Sequence, residues 1–304
     1  MNPVIELSNV SWMPPAPSTH ERARSLEKII FRYGAPKPGE LVEISGASNT
    51  GKSLLLLELI AHIILPTNCG GTGQEVVLID CENSYDSSLM LDVMEKGIQK
   101  DAEPEVAATL DVQQLKRIQE EALQRLHRFA CHTLEIYDFC LRALKYRLFI
   151  RHPSIRYVLV DSIASFYWTT TKCYKKRALL MERCETLRRM AQLYKRVIVY
   201  TKPSSFGLAE FKKTIQPQPT SAEDRITQTF ATTTQHITGG KTPGIIDVAY
   251  RIELSAIDPP PGAENDIVGN PQWFNASITA RGKNQFRQYY LIYDLGFDWI
   301  SEVE

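Results

Sequence analysis

Eight consecutive residues, Gly46, Ala47, Ser48, Asn49, Thr50, Gly51, Lys52 and Ser53, read GASNTGKS and satisfy the pattern GxxxxGK[ST] at every defined position. That order of residue types suits the binding of a nucleoside triphosphate. Backbone N–H groups of such a loop curl around phosphate oxygens, and glycine permits backbone conformations that a side chain would block. The lysine reaches the terminal phosphates and the serine hydroxyl ligates Mg2+. A Gly-rich turn could match the pattern by accident, but the flanking runs argue against this. Leu41, Val42, Glu43 and Ile44 read as a buried strand, and Leu54 through Leu65 as a helix whose positive N-terminal end faces the loop.

Two carboxylates are placed to complete such a site. Asp161 ends the apolar run Tyr157, Val158, Leu159, Val160, where a carboxylate at a strand end would face the magnesium; its alternative role is to cap the turn that follows. The next residue is Ser162 rather than Glu, so a water-activating carboxylate must come from another strand. Glu82, in the run IDCEN, is that candidate as general base, because positioning and electrostatics carry most of phosphoryl transfer. Glu82 could equally favour a helix N-terminus before Ser87. A guanine-nucleotide switch would need [NT]KxD after a late strand, yet the chain reads Thr201, Lys202, Pro203, Ser204, and no DxxG follows Asp161. These absences argue against a GTPase.

The elements that must position these groups follow from periodicity. Helix 52–64, strand Val76–Asp80, a polar helix 112–126, a strand at Arg128–His132, helix 134–149 and strand Tyr157–Asp161 alternate, as do helix 177–195 and strand Val197–Thr201. Alternation of this kind predicts an α/β fold with a mostly parallel sheet flanked by helices. A further strand at Val248–Leu254 and a hairpin, Phe274–Arg281 with Phe286–Tyr293, predict an antiparallel finish. Residues 1–35 read as a lead-in with a short helical pattern at Arg22–Tyr33, and 36–304 as one core. The Pro-, Thr- and Ser-rich stretch 203–244 is too long for an ordinary connection and reads as a functional or disordered loop.

Length and composition set outer limits. A chain of 304 residues with 43% hydrophobic content can bury one large core. The formal charge of zero leaves no global field for nucleic acid or membrane, so any such affinity must be local. One local excess exists: Lys172 to Arg196 carries nine basic residues against Glu182 and Glu185. On the helix these charges fit a solvated face. In the loop, Tyr167, Trp168 and Tyr174 interleave with Lys172, Lys175, Lys176 and Arg177, offering stacking faces beside charges that neutralise a nucleic-acid backbone. Lys212, Lys213 and Lys241 in the long loop could add to it. Cysteines at 69, 81, 131, 140, 173 and 184 show no CxxC pairing and, with six scattered histidines, no zinc spacing; reduced, buried thiols are expected. The N-terminus lacks a secretory pattern, which predicts an intracellular protein, and the twelve-residue apolar run at 54–65 is too short to span a bilayer.

Taken together, GASNTGKS, IDCE, YVLVDSIASFYW, a basic loop and helix, VIVYT and a long loop resemble the RecA family of recombinases over about residues 36–300. Finer runs, IILPTNCGG, HPS, FYW and YYLIYDLGFDW, are similar to a eukaryotic branch of recombinase paralogues of the X-ray repair cross-complementing type. The resemblance implies a P-loop NTPase of RecA type and ATP with Mg2+ at Gly46–Ser53. It also implies Asp161 at the metal, Glu82 as the catalytic glutamate, and 168–177 and 204–244 as two DNA loops. It further implies a nuclear subunit of a hetero-oligomer with other recombinase paralogues, acting on single-stranded or branched DNA in homologous-recombination repair of double-strand breaks, with no membrane role. Two departures stand out. Lys202 and Pro203 occupy the place of a polar γ-phosphate sensor. The lead-in is too short for a helical DNA-binding domain, and Phe206-x-x-Ala209 falls in a different place from the polymerisation motif, so a filament of this chain alone is not expected. A nucleotide-binding scaffold without turnover and a P-loop small-molecule kinase are the competing classes, the latter lacking an evident Arg-rich lid.

Overall fold

Six residues, LVEISG, make the first strand, β1 (Leu41–Gly46), and every one of them is buried. A strand hidden on both faces needs helices above and below it, and the computed structural model supplies them. The structure describes residues 29–145, 149–166, 173–204, 246–258, 272–293 and 296–300, with the backbone alone for 173–178 and 293. Helix α1 (Lys52–Ile64) follows β1, and β2 (Glu75–Asp80) follows α1. Then come α2 (Ser87–Asp101), α3 (Pro104–Thr109), α4 (Val112–Leu123), β3 (Leu126–Ala130), α5 (Leu134–Ala143), β4 (Ile155–Asp161), α6 (Cys173–Tyr194) and β5 (Val197–Pro203). The chain closes with β6 (Tyr250–Ile257), β7 (Trp273–Ala280), β8 (Phe286–Tyr293) and β9 (Gly296–Ile300).

These strands form one nine-stranded sheet in the order β3-β2-β4-β5-β1-β6-β7-β8-β9. Pairings from β3 through β6 are parallel, and β6–β7, β7–β8 and β8–β9 are antiparallel. The expected α/β class with a mostly parallel sheet is observed, and the arrangement is compatible with a RecA-like fold. Alternation along each strand divides the core between the two faces. Val42, Ile44, Val76, Leu78, Leu159 and Val199 pack with α1 and α2, while Leu41, Val77, Ile79, Val158, Val160 and Ile198 pack with α5 and α6.

Several expectations need correcting. Between β2 and β3 the structure has α2, whose Asp86 cap accepts from the Ser88 and Leu89 amides, and α3; their mixed polar surface hid both from the periodicity reading. The strand expected at Arg128–His132 starts two residues earlier, and α5 ends at Ala143 rather than 149. The expected hairpin is present as β7 and β8, and β6 and β9 flank it to make a finish of four antiparallel strands. Residues 1–28 of the lead-in and 205–244 of the long loop lie outside the described residues. Cys69, Cys81, Cys131, Cys140 and Cys184 are buried free thiols, as expected. Among the described residues, no helix is long and apolar enough to cross a membrane.

Candidate functional site

The β1–α1 connection turns sharply around two left-handed residues, Asn49 at φ 63° and Gly51 at φ 82°. A Cβ at Gly51 would come within 2.7 Å of the Phe297 ring and 3.0 Å of Ile292 Cδ1; one at Gly46 would overlap the Thr50 hydroxyl and lie 2.8 Å from the Leu254 carbonyl oxygen. Close packing therefore requires both glycines, and at Gly51 the positive φ requires one as well. Thr50 Oγ1 and Lys52 Nζ donate to the Ala47 carbonyl at 3.0 and 2.6 Å, folding the loop over on itself. Ala47, Ser48 and Asn49 stay exposed at its tip. No side chain caps the N-terminus of α1, and its first turn carries no acidic residue, so its positive end is free to meet an anion.

The C-terminal strands support this loop from the side. Tyr290 on β8, wholly buried, donates its hydroxyl to the Thr50 carbonyl at 2.8 Å. Glu58 on α1 accepts from the Phe297 amide at 2.8 Å and faces Trp299 Nε1 at 3.4 Å. Tyr290, Phe297 and Trp299 belong to the run YYLIYDLGFDW that carries the resemblance, but only the register of distant strands brings them beside the loop.

Asp161 ends β4 almost wholly buried, with Oδ1 accepting from Thr201 at 2.5 Å and Oδ2 from Ser84 at 2.8 Å. It lines one small cavity with Ser53, Ser84 and Tyr85. The two residues expected to face a magnesium ion, Ser53 and Asp161, thus open onto the same space. Glu82 lies in the loop after β2, with Oε1 taking the Ser165 hydroxyl at 3.3 Å. Partial burial and then the Asp161 charge push its carboxyl above the usual glutamate range, against the pull of Ser165 and Lys52. Burial holds the Lys52 ammonium below the usual lysine range, opposed by Asp161 and Glu82. Lys52, Asp161 and Glu82 therefore share one field.

Asp80, unremarked in the sequence, organises the loop carrying Glu82. It accepts from the Ser84 and Tyr85 amides at 3.1 and 3.3 Å and pairs with Arg128 Nη2 at 2.8 Å. The Arg128 guanidinium also reaches Asn83 and lies 4.8 Å from the centre of the Tyr85 ring. Glu82 is not at a helix start: Asp86 caps α2 instead, which removes that alternative. Lys202 is directed to the other face of the sheet, where its Nζ pairs with Glu43 Oε2 at 3.0 Å. Its neighbour Thr201 points the opposite way, to Asp161, as strand alternation requires.

Of the basic residues expected to meet DNA, Lys175, Lys176 and Arg177 fall in the first turns of α6, where the backbone alone is described. Lys172, Lys212 and Lys213 lie outside the described residues.

The arrangement has an uncapped helix end, a lysine folded over a tight glycine loop, a hydroxyl and carboxylate sharing a cavity, and a second carboxylate of raised pKa. Such a set can hold a polyphosphate with a hard cation coordinated through oxygen. No family model matches the chain. Over 176 residues it is 29% identical to a protein described as DNA repair protein XRCC2 from Mus musculus, a stretch that covers 58% of this chain and 58% of that relative. Along that stretch the chain resembles a recombinase paralogue of RecA type, as the sequence motifs indicated. The chain matches less than two thirds of the relative's length.

Proposed function

We propose that this chain is an ATP-binding recombinase paralogue subunit acting in homologous-recombination repair of DNA double-strand breaks, within a nuclear complex of paralogues that assists strand exchange. The observation that supports the reading most is the convergence of Gly46–Ser53, Asp161 and Glu82 at one end of the parallel sheet, each from a different strand–helix connection. Ligands of open α/β sheets bind outside the carboxyl ends of the strands, and β1, β2 and β4 all end here. In this reading Gly46, Ala47, Ser48, Asn49, Thr50 and Gly51 wrap the phosphates with backbone amides, and Lys52 moves from the Ala47 carbonyl to a phosphate oxygen. Ser53 and Asp161 would hold Mg2+, and Glu82 would orient the attacking water and take its proton. The metal, when bound, neutralises charge on the phosphates.

Lys52→Ala tests the site. Titration calorimetry with Mg-ATP is expected to show saturable uptake by the wild type and at least a tenfold weaker response in the variant, because the lysine supplies the principal charge to the terminal phosphates. Equal uptake by both proteins would remove the loop from nucleotide binding.

A second reading, a nucleotide-binding scaffold with negligible turnover, is favoured by one observation. Lys202, at the position where the family places a polar γ-phosphate sensor, is engaged by Glu43 on the opposite face. ATP would then act chiefly by stabilising the bound conformation through mass action.

A further inference from the structure

At the opposite end of the same strands, Glu75, His127 and His152 converge. Glu75 opens β2, His127 is the second residue of β3 and His152 lies just before β4, so three adjacent elements each contribute one group. Glu75 Oε2 stands 2.9 Å from His127 Nε2 and 3.3 Å from His152 Nδ1, and the three potential ligand atoms all lie within 4.8 Å of one another. The two imidazole rings are tilted by 58° with centroids 5.1 Å apart. The second carboxylate oxygen, Oε1, accepts from the Ser154 hydroxyl at 2.5 Å, which holds the carboxylate's orientation.

The geometry points to a binding site for a divalent transition metal, of the Zn2+ class, at Glu75, His127 and His152. Two imidazole nitrogens and one carboxylate form a donor set that suits zinc and its neighbours and does not suit magnesium or calcium, which take oxygen. Three protein ligands leave a coordination position for water or for a group from another molecule. Ser154 acts as an outer partner that orients the ligating carboxylate. The strand pairing adds a local reason for the convergence. The register between β2 and β4 shifts between Glu75 and Val76, and such irregularities commonly re-aim a side chain at a sheet margin. All three side chains are part-exposed, at 25%, 23% and 42%, so an ion has a route from solvent. β2 spans six residues, roughly 17 Å at ordinary strand rise. The site is therefore separate from the Asp161 cavity and from the magnesium proposed there.

The test is titration of the metal-free full chain with zinc sulfate, followed by calorimetry and by the visible spectrum of Co2+ substituted for zinc. The wild type is expected to take up one ion, with unchanged stoichiometry in saturating Mg-ATP. Glu75→Gln and His127→Asn are each expected to weaken uptake at least tenfold and to abolish the cobalt spectrum. Ser154→Ala is expected to weaken uptake about tenfold, the usual cost of losing an outer-sphere partner. Circular dichroism identical to wild type shows that the variants fold. Absence of saturable uptake by the wild type, or uptake unaltered in Glu75→Gln and His127→Asn, would overturn the assignment; a cobalt spectrum with intense thiolate charge-transfer bands would move the ion to the cysteines and overturn it equally.

Discussion

A single carboxylate carries the proposed chemistry. Glu82 sits where partial burial and Asp161 make its proton harder to lose, which suits a group that must accept a proton in the reaction. The sign follows from that direction. A base must be ionised, so turnover should rise as pH climbs through a pKa above the usual glutamate range. Glu82→Gln is expected to lower ATP turnover about 100-fold and to abolish that acidic limb, while leaving Mg-ATP uptake intact. Steady-state hydrolysis across pH checks both; an unchanged rate would remove Glu82 as the base and leave the scaffold reading. The place of Asp161 at a strand end and of the loop Gly46–Ser53 between a strand and a helix were legible from residue types alone. Thr201 and Asp80, which hold Asp161 and the Glu82 loop, were not. A threonine at a strand end has no pattern of its own, and its partner lies 40 residues away.

Elements impose a different constraint. Where β5, β1 and β6 adjoin, Glu43 is buried on the α6 face and meets Tyr200 at 2.8 Å, Lys202 at 3.0 Å and Arg251 at 2.9 Å. Burial opposes its ionisation, but the charges of Lys202 and Arg251 prevail and bring its pKa below the usual glutamate value. A depressed carboxylate contributes stability that is present above the unfolded pKa of 4.5 and is lost as pH falls through the folded one. Lys202→Met removes one partner and is expected to cost about 2 kcal/mol at neutral pH. It should also flatten the loss of stability on acidification below about pH 4.5, both read from urea denaturation at several pH values. Equal stability across that range in both proteins would show that Arg251 alone suffices. Apolar periodicity marked α1, β4 and β8 closely, since each shows a plain pattern of 3.6 or 2 residues or a continuous apolar run. It missed α2 and α3, whose exposed faces dilute the pattern, and β9, a five-residue strand that forms only because β8 offers an edge.

At the scale of the whole molecule, the charge balance is neutral while the stretch 172–196 concentrates basic residues. A single-strand interface there would depend on phosphate neutralisation, so a variant with Lys175, Lys176 and Arg177 changed to Ala should show a log–log salt slope shallower by about 2. Fluorescence anisotropy with an oligothymidine across salt concentrations measures it. An unaltered slope would return those charges to the solvated face. The neutral average also leaves room for partner surfaces elsewhere, in keeping with the proposed paralogue complex.

The order of residue types along the chain was enough to specify the glycine loop, its lysine and serine, the strand-end aspartate and the alternation of strand and helix. These follow from short-range chemistry: φ preferences and hydrophobic period act over a few neighbours. Folding in three dimensions settled the rest. Tyr290 and Phe297 reach the loop from more than 200 residues away, Thr201 and Lys202 divide between opposite faces of one strand, and Glu75 meets His127 and His152 across three neighbouring elements. Such meetings depend on strand order and register, which are decided by burial of the whole sheet and leave no trace in local spacing.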